Sequence, residues 1–305
     1  MSEFLLKTPV AFIIFNRPDT TERVFSEIAK AKPPKLLVVG DGARTNRVGE
    51  AEKVAATRAI IDRVNWDCEV LTKFSEVNLG CKRRVSSGID WVFEQVEEAI
   101  ILEDDCLPHP TFFRYCEELL ERYRDDERIA MISGDNFQFG QRRTEASYYL
   151  SRYNHIWGWA SWRRAWKHYD SESTVWSVLR DGNWLAGLVG NAHEKKYWTD
   201  IFQAVYEGRI DTWDFQWMLA SWAQGMAAIL PNVNLISNIG FGVDATHTQG
   251  ASIYSEMKVE FMEFPLRHPD VMLTHREADA YTAQRMFVNS SLRGRIISKI
   301  RAILR

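Results

Sequence analysis

The hydrophobic pattern of the first 135 residues alternates between short apolar runs and longer amphipathic stretches. Apolar runs predict strands at 10–15, 35–39, 68–72, 99–102 and 129–132. Helical spacing predicts a helix that opens near Asp19, followed by helices at 50–64, 80–96 and 110–124. Because strands alternate with helices, the pattern predicts an α/β fold whose mostly parallel sheet is flanked by helices on both faces.

The second half of the chain is rich in aromatic residues. Ten of the 12 tryptophans lie between Trp157 and Trp222, around a predicted helix at 213–223 and strands at 227–230 and 233–237. No linker separates the halves. We therefore expect a ligand-binding α/β half at 1–135, a tryptophan-rich half at 136–250 packed against it, and an extension at 251–305.

Charge is distributed unevenly along a chain whose net charge is only −3. Residues 290–305 hold five basic side chains and no acidic one, so 33 basic residues face 41 acidic ones in the rest. Isoleucine and leucine recur in this tail at helical spacing, which predicts a basic amphipathic helix attracted to an anionic membrane. A packed terminal helix or a dimer contact is the alternative. The overall charge of −3 argues against a wholesale polyanion binder, so no nucleic-acid partner is expected.

The N-terminus and the cysteines indicate the expected compartment. The apolar run at 10–15 is too short for a signal peptide, and no stretch reaches the roughly 18 apolar residues of a membrane span. The four cysteines lack paired CxxC spacing, which favours free thiols in a reducing environment. We expect a cytoplasmic protein, peripheral on the inner face of the membrane if the tail binds lipid.

Three consecutive acids follow the predicted strand at 99–102. Glu103 and Asp105 should point to one face of the strand and Asp104 to the other, with pairing ended at residues 106–108. Adjacent carboxylates repel one another unless a cation neutralises them. Hard oxygen ligands suit Mg²⁺ or Mn²⁺, whose shell substrate phosphates complete. The alternative is surplus surface acid before the next helix.

Two other strand ends carry candidate ligand-binding residues. Asp41 lies in a Gly-Asp-Gly turn after the second strand, and Asn78 and Lys82 flank Gly80 at the start of the third long helix. A helix N-terminus with nearby cations attracts phosphate. Both features are also common in ordinary turns and helix starts.

The order of these motifs resembles a known enzyme family. Asn-Arg-Pro at 16–18, Gly-Asp-Gly at 40–42, Asn-Leu-Gly-Cys-Lys at 78–82 and Ile-Leu-Glu-Asp-Asp at 101–105 resemble nucleotide-sugar glycosyltransferases of the GT-A fold. The bacterial family 2-like enzymes are similar, as is the N-acetylglucosaminyltransferase I family with its Glu-Asp-Asp metal motif. The resemblance spans roughly residues 8–248 and continues through 133–136 and 157–160.

The resemblance implies roles for individual residues of the donor site. Asp105 matches the metal-binding acid and Asp41 the contact to the nucleotide base. The implied nucleotide-sugar-binding residues are Arg17, Asp41, Arg44, Asn78, Lys82, Glu103 and Asp104. His247, in a late glycine-flanked loop, resembles a histidine that contacts the metal or pyrophosphate, although a lone histidine is also compatible with a structural role.

The segment Trp213-Asp214-Phe215-Gln216-Trp217 resembles the Trp-Asp-Asp-Trp segment that presents the family's catalytic base. Phe215 replaces the second acid, so Asp214 is the expected base and Asp211 the fallback. Desolvation between two tryptophans suits a carboxylate to general-base work. The alternative is a helix N-cap.

The expected function is transfer of a sugar from a UDP- or GDP-linked donor to an acceptor hydroxyl, dependent on Mn²⁺ or Mg²⁺ and with inversion. The acceptor would be a carbohydrate or lipid-linked glycan in surface polysaccharide or glycoconjugate synthesis. Tryptophan faces suit sugar rings. The expected acceptor-binding residues are Asp135, Trp157, Trp159 and Trp213. A metal-dependent nucleotidyltransferase and a non-catalytic carbohydrate-binding protein are the alternatives.

Overall fold

The computed structural model describes residues 4–240 and 257–288 of the chain. In chain order its strands are β1 (Val10–Ile14), β2 (Lys35–Gly40), β3 (Glu69–Phe74), β4 (Glu98–Glu103), β5 (Cys106–Pro108), β6 (Ile129–Ser133), β7 (Tyr148–Ser151), β8 (Trp159–Trp162), β9 (Ala227–Pro231) and β10 (Ile236–Asn238). The helices are α1 (Pro18–Ala31), α2 (Glu50–Ala59), α3 (Gly80–Gln95), α4 (Thr111–Arg122), α5 (Arg163–Trp166), α6 (Trp176–Leu179), α7 (Trp184–Leu188), α8 (Ala192–Tyr206), α9 (Asp214–Ala223) and α10 (Arg276–Ala283). A 3₁₀ turn (Ile61–Arg63) and a π-helical turn (Gln284–Val288) complete the described elements.

Eight strands form one sheet in the order β3-β2-β1-β4-β8-β6-β9-β7. Pairing is parallel from β3 through β4 and again between β6 and β9. Only β7 and β8 run against the other strands, since each is antiparallel to its neighbours. The predicted α/β fold with a mostly parallel sheet is confirmed.

Helices cover both faces of this sheet. In β1, Phe12 and Ile14 join the apolar cluster beneath α1 and α4, whereas Ala11 and Ile13 join the cluster beneath α3, α5 and α9. This alternation is the two-residue period of a strand that is buried on both sides. It explains why the sequence shows β1 as a continuous apolar run.

A helical lobe rich in aromatic residues packs against the sheet through α9. Its core contains Trp176, Trp198 and Trp222, which lie on α6, α8 and α9. Strands from both halves of the chain share the sheet, so the halves predicted at 1–135 and 136–250 are joined by common pairing. Among the described residues, none of the helices has the length and hydrophobicity needed to span a bilayer.

One expectation about a strand end needs correction, and two other expectations fall outside the described residues. The prediction that pairing stops at residues 106–108 is wrong, because Cys106–Pro108 forms β5 and pairs antiparallel with β10. This short pair fixes the chain directly after the acids. The predicted basic helix at 290–305 and His247 both lie outside the described residues.

Candidate functional site

The centre of the candidate site is the junction between β1 and β4. These strands are parallel neighbours, with Ile13 opposite Glu103, and the chain order reverses between them in the sequence β3-β2-β1-β4. In open α/β sheets, ligands bind in the crevice outside the carboxyl ends of the strands at such a reversal. Arg17 follows β1 and the three acids end β4, so the crevice carries charge from both sides.

Arg17 joins the two strand ends by ion pairs to Asp104 and Asp105. Its Nη1 lies 2.9 Å from Asp105 Oδ2, and its Nη2 bonds to Asp104 Oδ1. Asp104, whose side chain is 3% exposed, also accepts a 3.0 Å hydrogen bond from the backbone N–H of Phe15. Burial opposes the charge on Arg17, but the two carboxylates outweigh it and raise the guanidinium pKa. Gly240 crosses this pair so closely that a Cβ there would overlap Asp105 Oδ2.

Glu103 is the acid of this cluster that Arg17 does not pair with. The half-buried carboxylate has no hydrogen-bond partner among the described residues. Burial, and then the charges of Asp105 and Asp104, raise its pKa to about 8. Burial likewise raises the pKa of Asp104, with Arg17 opposing the shift. Three carboxylates therefore lie near a single guanidinium, which pairs with two of them. This leaves an excess of negative charge in the crevice.

The donor atoms at this junction fit a small divalent cation. Glu103 and Asp105 offer hard oxygen ligands, and the surplus charge would be neutralised by Mg²⁺ or Mn²⁺. Nowhere in the described ranges do three His, Cys, Asp or Glu side chains gather closely enough to hold a metal by themselves. The arrangement therefore suits a cation held by one or two carboxylates and completed by substrate phosphates.

Asp214 is the first residue of α9 and acts electrostatically on the acidic cluster. Its charge contributes to the raised pKa of Glu103, which places the two carboxylates in one electrostatic neighbourhood. The hydroxyl of Thr212 donates a hydrogen bond to Asp214 Oδ1. Burial and the charge of Asp214 also raise the pKa of Tyr169 and of Tyr197. The charge of the predicted base thus acts on the acidic cluster, and Thr212 donates a hydrogen bond to one of its oxygens.

Asp211 has a different place, at the N-terminus of α3. Its carboxylate accepts hydrogen bonds of 3.2 Å from Cys81 N–H and 3.0 Å from Lys82 N–H. This is the helix N-terminus at which the sequence predicted the binding of a phosphate group. The Lys82 ammonium group is paired 3.0 Å from Glu172. A side-chain carboxylate therefore occupies the helix terminus, and Asp211 serves as a cap of α3.

Asp41 is buried and holds the loop before α3. Its two carboxylate oxygens accept from four donors at 2.9–3.1 Å. These donors are the backbone N–H groups of Gly42, Leu79 and Gly80 and the side-chain amide of Asn78. Asn78 also donates to the carbonyl of Gly42 at 2.9 Å. Both predicted nucleotide ligands are thus engaged with the protein itself.

Arg44 is likewise engaged within its own loop. Its Nε lies 3.1 and 3.0 Å from the two carboxylate oxygens of Glu50, which also accepts from Asn16 at 2.9 Å. The guanidinium lies over the Phe15 ring, 5.5 Å from its centre. Arg44 therefore ties the loop after β2 to the end of β1.

Two of the expected sugar-stacking tryptophans are core residues. Trp159 is 0% exposed and Trp213 is 3% exposed, and their rings stack with centres 5.8 Å apart. The expectation that they present faces to a sugar is wrong, because both are buried in a cluster with the rings of Trp166 and Trp217. Trp157 is half-buried at the carboxyl edge, with its ring edge-on to Phe137 at 5.1 Å.

Asp135 and His155 form a buried pair that supports Trp157. The carboxylate of Asp135 approaches Nδ1 of His155 to 2.8 Å and accepts from the backbone N–H of Trp157 at 3.2 Å. Burial raises the pKa of Asp135, against the effect of His155. Asp135 is fully buried, so it acts on this edge through Trp157. Sequence reasoning missed His155, whose only signal is its position two residues before Trp157.

Sequence reasoning also missed Arg84, a buried cation on α3. It is 5% exposed, and its Nε and Nη2 atoms find no hydrogen-bond partner within residues 4–240 and 257–288. The available signal was the helical spacing that puts Arg84 and Gly88 on the face of α3 that packs against β2.

Comparisons with known proteins show limited similarity. The chain matches no protein-family model and no curated protein sequence. Among solved structures, S. aureus TarS 1–349 shares 12% identity over 52% of this chain and 47% of its own, with a TM-score of 0.33. The chain thus spans about half the length of that structure.

Two further solved structures match a larger part of the chain. UDP-glucose pyrophosphorylase complexed with UDP-glucose shares 11% identity over 74% of this chain and 90% of its own, with a TM-score of 0.36. The inositol-1-phosphate CTP transferase from T. maritima shares 10% identity over 74% and 86%, also with a TM-score of 0.36. Scores at this level carry no conclusion about activity.

Proposed function

We propose that the protein is a metal-dependent glycosyltransferase that uses a nucleotide-diphosphate sugar. The observation that carries the proposal is the meeting of Arg17, three carboxylates and Asp214 at the strand-order reversal between β1 and β4. A crevice of this kind suits a nucleotide. The excess acid suits a cation–phosphate pair, and the nearby carboxylate of Asp214 suits proton transfer.

Asp105 and Glu103 would hold Mn²⁺ or Mg²⁺ together with the donor phosphates. When bound, the cation would supply charge neutralisation for the leaving diphosphate, often the largest single contribution to such a reaction. Arg17 keeps Asp104 and Asp105 in place through its two ion pairs. The family resemblance would place Asp104, whose carboxylate accepts a hydrogen bond from Phe15 N–H, near the ribose.

Asp214 would act as the general base for the acceptor hydroxyl. A bond forms between the acceptor oxygen and the anomeric carbon while the bond from that carbon to the phosphate oxygen breaks, and the hydroxyl proton passes to Asp214. Attack from the side opposite the leaving group inverts the anomeric centre. Thr212 donates a hydrogen bond to one oxygen of the carboxylate, and the other oxygen would accept the proton.

Trp157 would contribute the acceptor contact, since it is the half-buried tryptophan at the carboxyl edge of the sheet. A carbohydrate or lipid-linked glycan would present a ring face to it. Residues 290–305 would hold the enzyme at an anionic membrane surface. Deleting the chain after Asn289 should then release the protein from anionic liposomes, and undiminished binding would reject that contact.

A panel of nucleotide sugars with Mn²⁺ and simple glycan acceptors tests the proposed reaction. Release of free UDP or GDP that requires the acceptor supports transfer. Release of pyrophosphate from a nucleoside triphosphate and a sugar 1-phosphate would identify a nucleotidyltransferase instead. Glycan binding without either product would identify a binding protein. The Asp214→Asn variant is the matched control, since it should keep donor binding while losing turnover.

A further inference from the structure

Trp157 lies beside the acidic end of β4. The register of the antiparallel pair β4–β8, continued beyond its last paired residues, puts Trp157 opposite Glu103. The two chains are still in contact there, because a Cβ on Gly158 would approach the Leu102 side chain to 3.2 Å. An acceptor that reacts at the acids would therefore pass Trp157.

Aromatic side chains continue from Trp157 onto the loop after β6. The Trp157 ring lies edge-on to Phe137 with ring centres 5.1 Å apart, and Phe139 follows two residues later and is 37% exposed. The guanidinium of Arg285 lies over the Phe139 ring, 5.2 Å from its centre. One strand spacing, these ring distances and two residues of chain place Arg285 on the order of 20 Å from Glu103.

The backbone holds Phe139 in a conformation that bulky residues rarely adopt. Its φ is 50°, in the left-handed region. Gln138 pins the loop to α10, because its side-chain amide donates to Thr282 Oγ1 at 3.0 Å and to the Ala278 carbonyl at 3.3 Å. Strained residues persist where neighbouring contacts fix them, and they cluster at sites that bind ligands.

Two arginines lie over one tyrosine ring beside Phe139. The guanidinium carbons of Arg285 and Arg143 are each 4.9 Å from the centre of the Tyr281 ring, so they are at most 9.8 Å apart. Arg285 is exposed and Arg143 is half-buried, and neither forms an ion pair within residues 4–240 and 257–288. Two positive charges therefore lie close together without a carboxylate that pairs with them.

The acids of α10 do not neutralise these arginines. Asp279 is 3% exposed and accepts hydrogen bonds from the Ser151 hydroxyl at 2.5 Å and the Arg152 N–H at 3.3 Å. Glu277 is exposed one turn before Tyr281, and no ion pair joins it to either arginine in the described part of the chain. The arginines thus form a local cationic surface on a protein that is acidic outside its tail.

Arg285 keeps its hydrogen-bond donors for a ligand. The Phe139 and Tyr281 rings attract the positive charge of its guanidinium, and no acceptor among the described residues bonds to its N–H groups. The fork of a guanidinium matches two oxygens of a phosphate or a carboxylate. Neighbouring aromatic rings suit the faces of sugar units. This surface therefore suits a glycan that carries an oxyanion.

We propose that Arg285, together with the positive charge of Arg143, binds a phosphate or carboxylate group that the acceptor glycan carries several units from its reacting hydroxyl. This inference rests on the proposed sugar transfer to a glycan, and it makes the acceptor an anionic one. The reacting end would lie at the acids of β4, and the intervening units would pass Trp157 and Phe139.

Binding of matched oligosaccharides to the full-length protein tests the assignment without any donor. Calorimetry compares a neutral glucan oligomer with an oligogalacturonate and a phosphorylated glucan oligomer of equal length. We expect an anionic oligomer to bind about 5- to 10-fold more tightly than the neutral one, and the tighter of the two identifies the oxyanion. Arg285→Gln should remove this preference. Arg276→Gln, at an exposed position that begins α10, is the matched control and should retain it.

Three results would overturn the assignment. They are anionic oligomers that bind the wild-type protein no better than the neutral one, equal effects of Arg285→Gln and Arg276→Gln, or tighter binding of an oligonucleotide of matched charge, which would indicate a nucleic-acid surface. Transfer to neutral and anionic acceptors with equal kcat/KM rejects the inference alone. Binding of an anionic oligomer that depends on Arg285, without transfer from any nucleotide sugar, rejects the proposed reaction alone.

The salt dependence of binding keeps the test independent of variant folding. In the wild-type protein, the preference for an anionic oligomer should fall as ionic strength rises, because salt screens exposed charges. A preference that salt does not change would contradict the ion-pair contact. With a reactive anionic acceptor, Arg285→Gln should raise KM and leave kcat unchanged, because the contact is remote from the reacting atoms. Thermal unfolding of both variants separates lost binding from lost structure.

Discussion

The carboxyl ends of β2 and β4 both carry buried carboxylates, but these carboxylates differ in how many hydrogen bonds and ion pairs the protein gives them. At the end of β2, the carboxylate of Asp41 accepts from four donors of its own chain. At the end of β4, Arg17 pairs with Asp104 and Asp105, and Glu103 has no hydrogen-bond partner in the described ranges. A carboxylate whose oxygens are hydrogen-bonded by the protein stabilises the fold, whereas a carboxylate without such partners is available to a ligand.

The same contrast applies to the cations at the two strand ends. Arg17 is engaged by two carboxylates, while two buried nitrogens of Arg84 have no hydrogen-bond partner in the described part of the chain. The end of β4 therefore carries surplus negative charge. Beside Asp41, at the end of β2, the guanidinium groups of Arg58 and Arg84 meet a single carboxylate.

The largest expected effect comes from Asp214→Asn, which tests whether Asp214 is the general base of the proposed reaction. Loss of the base should lower kcat by about 10²–10⁴-fold while donor affinity stays unchanged, because the amide cannot accept the hydroxyl proton. Steady-state kinetics with parallel donor-binding measurements check this. Unchanged turnover would move the base elsewhere, first to Asp211. Asp211→Asn is therefore the matched variant and should retain kcat.

Arg17→Met tests whether the end of β4 depends on a single cation. Removing one partner of a buried ion pair costs about 3–5 kcal/mol, because uncompensated carboxylates are left behind. Urea unfolding in EDTA should show a loss of this order, and Mn²⁺ should restore part of it by neutralising the acids. A loss below about 1 kcal/mol would contradict the shared-cation description.

Asp41→Ala tests whether the carboxylate at the end of β2 stabilises the loop before α3. Four donors lose their acceptor, so we expect unfolding free energy to fall by about 1–3 kcal/mol. Nucleotide affinity should weaken for every base alike, because the loop before α3 is displaced. A base-selective loss measured by calorimetry would instead support direct contact between Asp41 and the base.

Asp211→Ala should have the smallest effect. The carboxylate caps α3, and loss of a cap costs about 1 kcal/mol of stability. Denaturant unfolding should show this small decrease with kcat retained. A loss of turnover comparable with that of Asp214→Asn would show that the two acids act together, and the distinction between cap and base would fail.

Much of the fold could be predicted because β1 to β4 and β6 are long enough to show their periods in local sequence. Phe12 and Ile13 reveal a strand that is buried on both faces, and α3 follows Gly80 at the predicted position. Strands β5, β7 and β8 were missed, since three- and four-residue strands leave no clear period. Their pairing is specified by long-range contacts.

The candidate site was only partly predictable for a similar reason. The sequence places Glu103, Asp105 and Asp214 among the chemistry-bearing residues, and the structure brings Glu103 and Asp214 into one electrostatic neighbourhood. The sequence does not show which polar groups already have hydrogen-bond partners within the protein. Asp211 pairs with amides 130 residues away, and Trp159 stacks on Trp213 in the core.

The most direct test of the central claim is the metal dependence of nucleoside diphosphate release with Asp105 intact and replaced. Wild-type protein with its nucleotide-sugar donor and a glycan acceptor should release nucleoside diphosphate with Mn²⁺ and lose that activity in EDTA. Asp105→Ala should remain inactive at any Mn²⁺ concentration while retaining its fold. Full activity of the wild-type protein in EDTA, or of Asp105→Ala with Mn²⁺, would contradict the claim that the acidic end of β4 holds a catalytic cation.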